Sequence, residues 1–211
     1  MKFLRNHWYD LGGFLALSVS AYIFMNYNRL APYQFLMWAS CVSLFFHQLE
    51  EYRIVGTFPG MINTLMFKSN LPDRYPLNTQ SALLVNVFFG WSVYLLAAIF
   101  SENTIWLGMA TMLVSLGNTI GHTFIFNGKG KTFYNAGLAT SWLCFVPCIY
   151  FFFKIIYTEN LVTDTDYFIG IPLGIAFNYF GVLKIIDWMK DKNTDYIFPQ
   201  RCLLPKDRIK Q

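Results

Sequence analysis

Two histidines and two carboxylates stand at helical spacings in a chain that is otherwise strongly apolar. One group is Phe45-Phe46-His47-Gln48-Leu49-Glu50-Glu51. Residues three and four apart share a helix face, so His47 can meet both Glu50 and Glu51. The other group is Asn118-Thr119-Ile120-Gly121-His122, where Asn118 and His122 are again four apart. Imidazole and carboxylate together suit zinc or iron. His47, Glu50, Glu51 and His122 are therefore the candidate metal ligands. Three of them would leave a coordination position for water or substrate, and such water attacks esters, amides or phosphates. The same residues also suit chemistry without metal. A Glu beside a His in an apolar pocket moves protons, as in a double-bond isomerase or a cyclase. In either case the catalytic candidates are His47, Glu50, Glu51, Asn118 and His122. The spacing departs from the H-E-x-x-H and H-x-x-E-H zinc-protease signatures. The three histidines are too few for the histidine-rich di-iron site of membrane desaturases.

Plainer readings exist for each residue. Glu50 and Glu51 can be end-of-helix charges, Asn118 and His122 can hydrogen-bond between helices, and His7 sits in an N-terminal flank. Two acids at a helix C-terminus, however, oppose the macrodipole and call for a compensating cation.

Such residues must be held by the apolar helices around them. Of the 211 residues 55% are hydrophobic and 13% charged, against ~25% charged in an ordinary soluble domain. The expected fold is all-α: a polytopic transmembrane bundle forming one domain over residues 1–211. Crossing a hydrocarbon core takes ~20 helical residues. Six stretches qualify, at about 8–27, 32–51, 80–100, 104–126, 136–157 and 167–187, and residues 188–211 follow as a tail. Between the second and third spans, Gly56, Pro59, Gly60, Pro72 and Pro76 break helices. The run Met61–Phe67 between them is too short to span, so it reads as an interfacial or re-entrant segment with Met61, Leu65 and Phe67 toward lipid. No cleavable leader is expected, because no small-x-small site follows the first apolar run.

Basic residues set the orientation. With both termini inside, every one of the 16 Lys and Arg except Arg29 and Lys154 lies in a cytoplasmic loop or tail, Lys210 included. The net charge of +4 is modest, and because the basic residues sit where membrane topology places them, no nucleic-acid partner is expected. Cys41, Cys144, Cys148 and Cys202 show no metal-type pairing and read as inert thiols without a disulfide.

In this topology the polar residues share one depth. His47, Glu50, Glu51 and His122 fall near the cytoplasmic ends of the second and fourth spans. Asn86 lies near the start of the third span, and Tyr134, Gly137 and Thr140 lie at the start of the fifth. Asn86, Tyr134, Gly137 and Thr140 are the candidate substrate-binding residues, and Asn178 reads as an interhelical hydrogen-bonder. In their order, His47-x-x-Glu50-Glu51, Asn118-x-x-x-His122 and Tyr134-x-Ala136-Gly137-x-x-Thr140 resemble the three motifs of the HxxEE family. The family is a group of mainly bacterial proteins taken to be integral to membranes. The third motif departs in having Ala136 where Pro is usual. The resemblance implies a multi-pass protein of a bacterial inner membrane and brings no established activity.

The expected function is an intramembrane enzyme at the cytoplasmic leaflet, acting on a membrane lipid or other apolar small molecule through the His/Glu cluster. Metal-dependent hydrolysis with zinc or iron is the first form and metal-free proton transfer the second. A small-molecule or ion binding or transport protein is the reading from another class. Against transport, the cluster lies near one face, whereas transporter sites favour the midplane.

Overall fold

The computed structural model describes residues 2–208, so Lys210 of the charge count lies outside the described residues. All regular structure among them is helical. Helix α1 (Lys2–Met25) leads to α2, which begins at Pro32 and runs to Leu49 before continuing as a π-helical turn over Glu50–Ile54. A short helix α3 (Phe58–Gly60) is prolonged by the π-helical stretch Met61–Met66. Four long helices follow: α4 (Thr79–Ile99), α5 (Ile105–Gly130), α6 (Leu138–Thr158) and α7 (Asp164–Trp188).

Five helices, α1, α4, α5, α6 and α7, are long and apolar enough to cross a membrane. The sequence predicts six. The sixth is α2, whose length suffices but whose polar Gln34, His47, Gln48, Glu50 and Glu51 lower its hydropathy. It is also the most enclosed of the set. Eleven of the residues from Pro32 to Leu49 are buried, and it packs on α1, α4 and α6. The helix that carries His47 is thus screened from the surroundings by its neighbours.

Helix starts follow local rules. Asn78 caps α4, its side-chain oxygen accepting from the amides of Gln80 and Ser81 at 3.0 Å each, while Ser81 Oγ accepts from the Asn78 amide. Thr163 and Asp166 form the equivalent box at α7, and Asp166 also accepts the Trp106 amide at 3.1 Å, tying α7 to α5. Gly170 and Gly174 let α7 approach α5 closely, in the small-xxx-small manner of membrane helices. Asn178 extends that seam by donating to the Leu113 carbonyl, an interhelical role.

Each long helix from α4 to α7 also carries a π-helical stretch, at Leu84–Trp91, Gly121–Phe126, Ser141–Phe145 and Phe177–Lys184. These lie in the half of the bundle that holds His47 and His122. Such stretches widen the helix by one residue per turn and gather at functional sites.

The connection after α2 is ordered around Asn63. Its side chain donates to the carbonyls of Pro72 and Leu77 and accepts the Leu77 amide, all at 2.9 Å. Met61 is buried and Leu65 half-buried rather than lipid-facing, because both pack on the main core; Phe67 is exposed. The segment after α7 is likewise no free tail. Phe198, Cys202 and Leu203 are buried, the Phe198 amide donates to Asp73, and Arg201 donates to the Tyr52 carbonyl at 2.8 Å and to the Tyr9 hydroxyl.

Candidate metal centre

His47 comes from the last α-turn of α2, Glu51 from the π-turn that follows, and His122 from the π-stretch of α5. Helices α2 and α5 meet through these side chains rather than by close backbone approach: α2 packs chiefly on α1, α4 and α6. The two imidazoles are nonetheless in contact, with ring centroids 5.0 Å apart and planes at 88°. Glu51 Oε1 lies 3.4 Å from His47 Nε2 and 3.2 Å from His122 Nε2. One ligand atom from each of the three residues falls within 4.8 Å of the others. His47 is 2%, Glu51 3% and His122 1% exposed, so all three are removed from water.

The hydrogen bonds behind this triad decide which atoms face it. Asn135 Nδ2 donates to the His122 carbonyl and to Asn127 Oδ1, which leaves Asn135 Oδ1 to accept at 2.7 Å from His122 Nδ1. His122 therefore carries a proton on Nδ1, and in the neutral ring Nε2, 3.2 Å from Glu51 Oε1, presents a lone pair. Thr140 Oγ1 has oxygen acceptors at Glu50 Oε2 and the Gly137 carbonyl, so its single proton is spent there and it accepts from His47 Nδ1 at 2.9 Å. His47 Nε2 is again left as a lone pair, with no hydrogen-bond partner although buried. Two imidazole lone pairs and a carboxylate thus converge. Among the described residues no Lys or Arg pairs with Glu51.

Three buried acceptors facing one another are costly unless a cation lies among them. Tetrahedral zinc with bonds of ~2.0–2.1 Å sets neighbouring ligand atoms about 3.3 Å apart. Two of the three edges, those from Glu51 Oε1 at 3.4 and 3.2 Å, match that length, and the three ligand atoms lie within 4.8 Å of one another. His47, Glu51 and His122 could hold a metal ion.

Glu50 lies outside this triad. Its carboxylate accepts from the Tyr134 hydroxyl at 2.7 Å, from Thr140 Oγ1 at 2.6 Å, and from the amides of Ala139 and Thr140. The chain Glu50–Thr140–His47 orients the imidazole, as carboxylates behind ligating histidines do. Successive helical residues diverge by roughly 100°, which is why Glu50 and Glu51 serve different partners. Gly137 has φ of +106°, and a Cβ there would run into the His122 ring. Only glycine supplies both the left-handed backbone and the close approach.

A family model described as a protein of unknown function with HXXEE motif matches residues 38–152, from α2 into α6. The chain belongs to the HXXEE family. No curated protein matches it, and no solved structure does. The matched range of this HXXEE protein includes the whole triad, Glu50 and the Tyr134–Thr140 loop that buttresses it.

The remaining sequence candidates line a neighbouring cavity. It has a volume of about 100 Å³ and runs from His47 and Glu51 past Asn86 and Asn118 to Val93 and Tyr94. Asn86 accepts from Gln48 at 3.1 Å and donates to Tyr52, whose hydroxyl keeps its own proton for another acceptor. Asn118 donates to the Val114 carbonyl and takes no part in the triad's hydrogen bonds. Phe145, Phe58 and Phe126 ring the imidazoles.

Sequence reasoning misses Asn135, Phe58 and Arg201. Asn135 sits inside the third motif as an unassigned position, and its adjacency to Tyr134 is the one available signal. Phe58 follows the first motif but beyond the Gly56 turn, and Arg201, far from the motifs, holds the Tyr52 carbonyl beside the site; both places come only from the fold.

Proposed function

We propose that this protein is an intramembrane enzyme that acts on a lipid-like apolar substrate, with a metal held by His47, Glu51 and His122. The observation that carries the reading is the convergence of two imidazole lone pairs and a carboxylate, with both imidazole protons committed elsewhere. A metal bound there would supply a Lewis acid and an activated water for hydrolysis. His47 and His122 hold their orientations through Thr140 and Asn135. Phe58, Phe126 and Phe145 exclude bulk water, which strengthens each electrostatic interaction within. The cavity brings an apolar substrate beside the triad, and the Tyr52 hydroxyl is free to donate to a substrate oxygen. The site lies at the same end of the bundle as the start of α1 and the segment after α7. On the charge asymmetry this end is the cytoplasmic one of a bacterial inner membrane.

A second reading rests on the 3.2 Å separation of His122 Nε2 and Glu51 Oε1, which also suits a hydrogen bond. Protons in place of a metal would make the triad an acid–base relay for an isomerase or cyclase.

Elemental analysis of purified protein separates the two. The metal reading expects about one zinc or iron per chain, lost on His122→Ala and on chelation. It also expects chelation to lower the melting temperature of the wild type but not of His122→Ala. Wild type without metal, unaffected by chelator, leaves the acid–base form. All of His47→Ala, Glu51→Ala and His122→Ala failing to fold, in wild type free of metal, would make the cluster structural.

A further inference from the structure

We propose that the substrate is a slim single-chain amphiphile with an anionic head. Its chain occupies the interior cavity and its head sits in the groove between the Met61–Phe67 segment and α7. This rests on the enzymatic reading above and names the substrate class of the same site.

Two observations carry it. The first is continuity. The interior cavity shares Phe67, Leu183 and Ile186 with an outer groove of about 490 Å³. Displacing those three side chains would join the groove to the cavity whose wall includes His47 and Glu51. At about 100 Å³ the inner cavity is smaller than the ~150 Å³ engineered cavity that admits benzene. It therefore accepts an unbranched chain segment and rejects fused rings.

The second is charge. The groove is lined by Lys184, Lys190 and Asp187, and by Tyr75 and Tyr179. Lys184 and Lys190 donate to the two oxygens of the one Asp187 carboxylate at 3.3 and 2.6 Å. Lys192 lies over the Tyr75 ring. Asp187 gathers the two ammonium groups at the mouth and leaves them with a net positive charge and spare donors. A phosphate or carboxylate fits there beside Asp187 without displacing it. The bond joining head to chain then falls at the neck marked by Phe67, Leu183 and Ile186.

The test uses the full chain in nanodiscs of zwitterionic lipid and counts retained amphiphile by native mass spectrometry. The probes are butyl phosphate, butanoate and the uncharged butyl glucoside, whose short chains match the cavity of about 100 Å³. The anionic probes should bind about tenfold tighter than the glucoside, the worth of one charge-assisted hydrogen bond. Lys184→Gln with Lys190→Gln should abolish that preference, and the surface change Leu183→Trp should lower binding of all three by closing the mouth. If only one anionic probe is preferred, phosphate and carboxylate heads are told apart and the proposal stands. Equal binding of anionic and neutral probes would overturn it, as would a preference that survives loss of both lysines or full binding by Leu183→Trp. Metal content is measured on the same samples. Lysine-dependent binding without metal supports this assignment and removes the metal reading alone; metal without binding does the reverse.

Discussion

His122 is held by Asn135 on one side and by Gly137 against its ring, so the residues that shape the centre are not all ones that would touch a reacting atom. Removing a group that orients a ligating histidine typically costs 10–100-fold in metal affinity. Asn135→Leu should therefore weaken metal binding by about that factor while leaving the fold assembled. Titration with a competing chelator, beside circular dichroism, checks it. Unchanged affinity would remove Asn135 from the site. Thr140→Val should act the same way through His47, and Thr140→Ser should restore binding because it keeps the hydroxyl that faces His47 Nδ1.

Tyr134 sits in the loop before α6, outside the long helices. Burial, its hydrogen bond to Glu50 and the nearby Glu50 charge push its phenol up to about 12. A raised value means the protonated phenol is favoured by the fold. Its contribution to stability is thus complete below the ordinary tyrosine value of ~10, and is lost as pH rises through the folded value of about 12. Between these limits the wild type should lose melting temperature faster than Tyr134→Phe. Tyrosinate absorbance of Glu50→Gln should show one phenol titrating earlier than in wild type. Parallel stability curves for wild type and Tyr134→Phe would show that the Tyr134–Glu50 bond is not formed in solution.

At the scale of elements, α3 and the segment after α7 cover the centre in layers. Phe58 stacks near His122 with centroids 5.6 Å apart, and the backbone of Leu203 and Leu204 lies directly on Gly60. A Cβ at Gly60 would stand 2.7 Å from the Leu204 nitrogen and 2.9 Å from the Leu203 Cα. Backbone cannot yield as a side-chain tip does. Gly60→Ala should therefore lift the terminal segment off α3, and limited proteolysis should cut near Arg201 or Lys206 much sooner than in wild type. Equal proteolysis would mean the two segments are not mutually docked.

This layering marks where sequence reasoning stops. The pairing of His47 with Glu51 follows from a spacing of four on a helix, and the four long helices after the loop follow from their apolar runs. The distinct placement of Glu50 follows from the 100° turn between neighbours. Other features come from tertiary structure. Asn135 becomes an orienting group because Gly137 turns the chain with a positive φ beside His122. The last segment looks like a polar tail, since Arg201, Lys206 and Arg208 dominate it. Its buried Phe198, Cys202 and Leu203 are scattered without helical or strand period, so no pattern announces their docking. Met61 reads as lipid-facing from hydrophobicity alone, but an apolar residue serves a core equally well, and the Asn63 hydrogen bonds turn it inward.

At the scale of the whole molecule, the two ends of the bundle differ in charge, and this carries the orientation. The end bearing the triad also bears the start of α1 and the segment after α7: Arg5 donates to Gln80 and packs over Tyr196, and Arg201 donates to Tyr9. The opposite end carries Glu102, Asn103, Glu159 and Asp164, with Arg29 and Lys154 as its basic residues. Lysine and arginine are retained on the cytoplasmic side during insertion, and acidic residues contribute little to the choice. The triad end should then face the cytoplasm. Asn103 and Asp164 are exposed at the far end and Lys206 is exposed at the triad end, so cysteines placed at these three positions report the two sides. Cys41, Cys148 and Cys202 are buried and Cys144 is half-buried, which keeps the background low. In intact cells an impermeant maleimide should label Asn103→Cys and Asp164→Cys, and Lys206→Cys only after the membrane is opened. Labelling of Lys206→Cys alone in intact cells would invert the bundle, and would place the amphiphile groove and the triad in the outer leaflet. Equal labelling of all three before and after lysis would remove the membrane-spanning reading itself, since nothing would then separate the two ends.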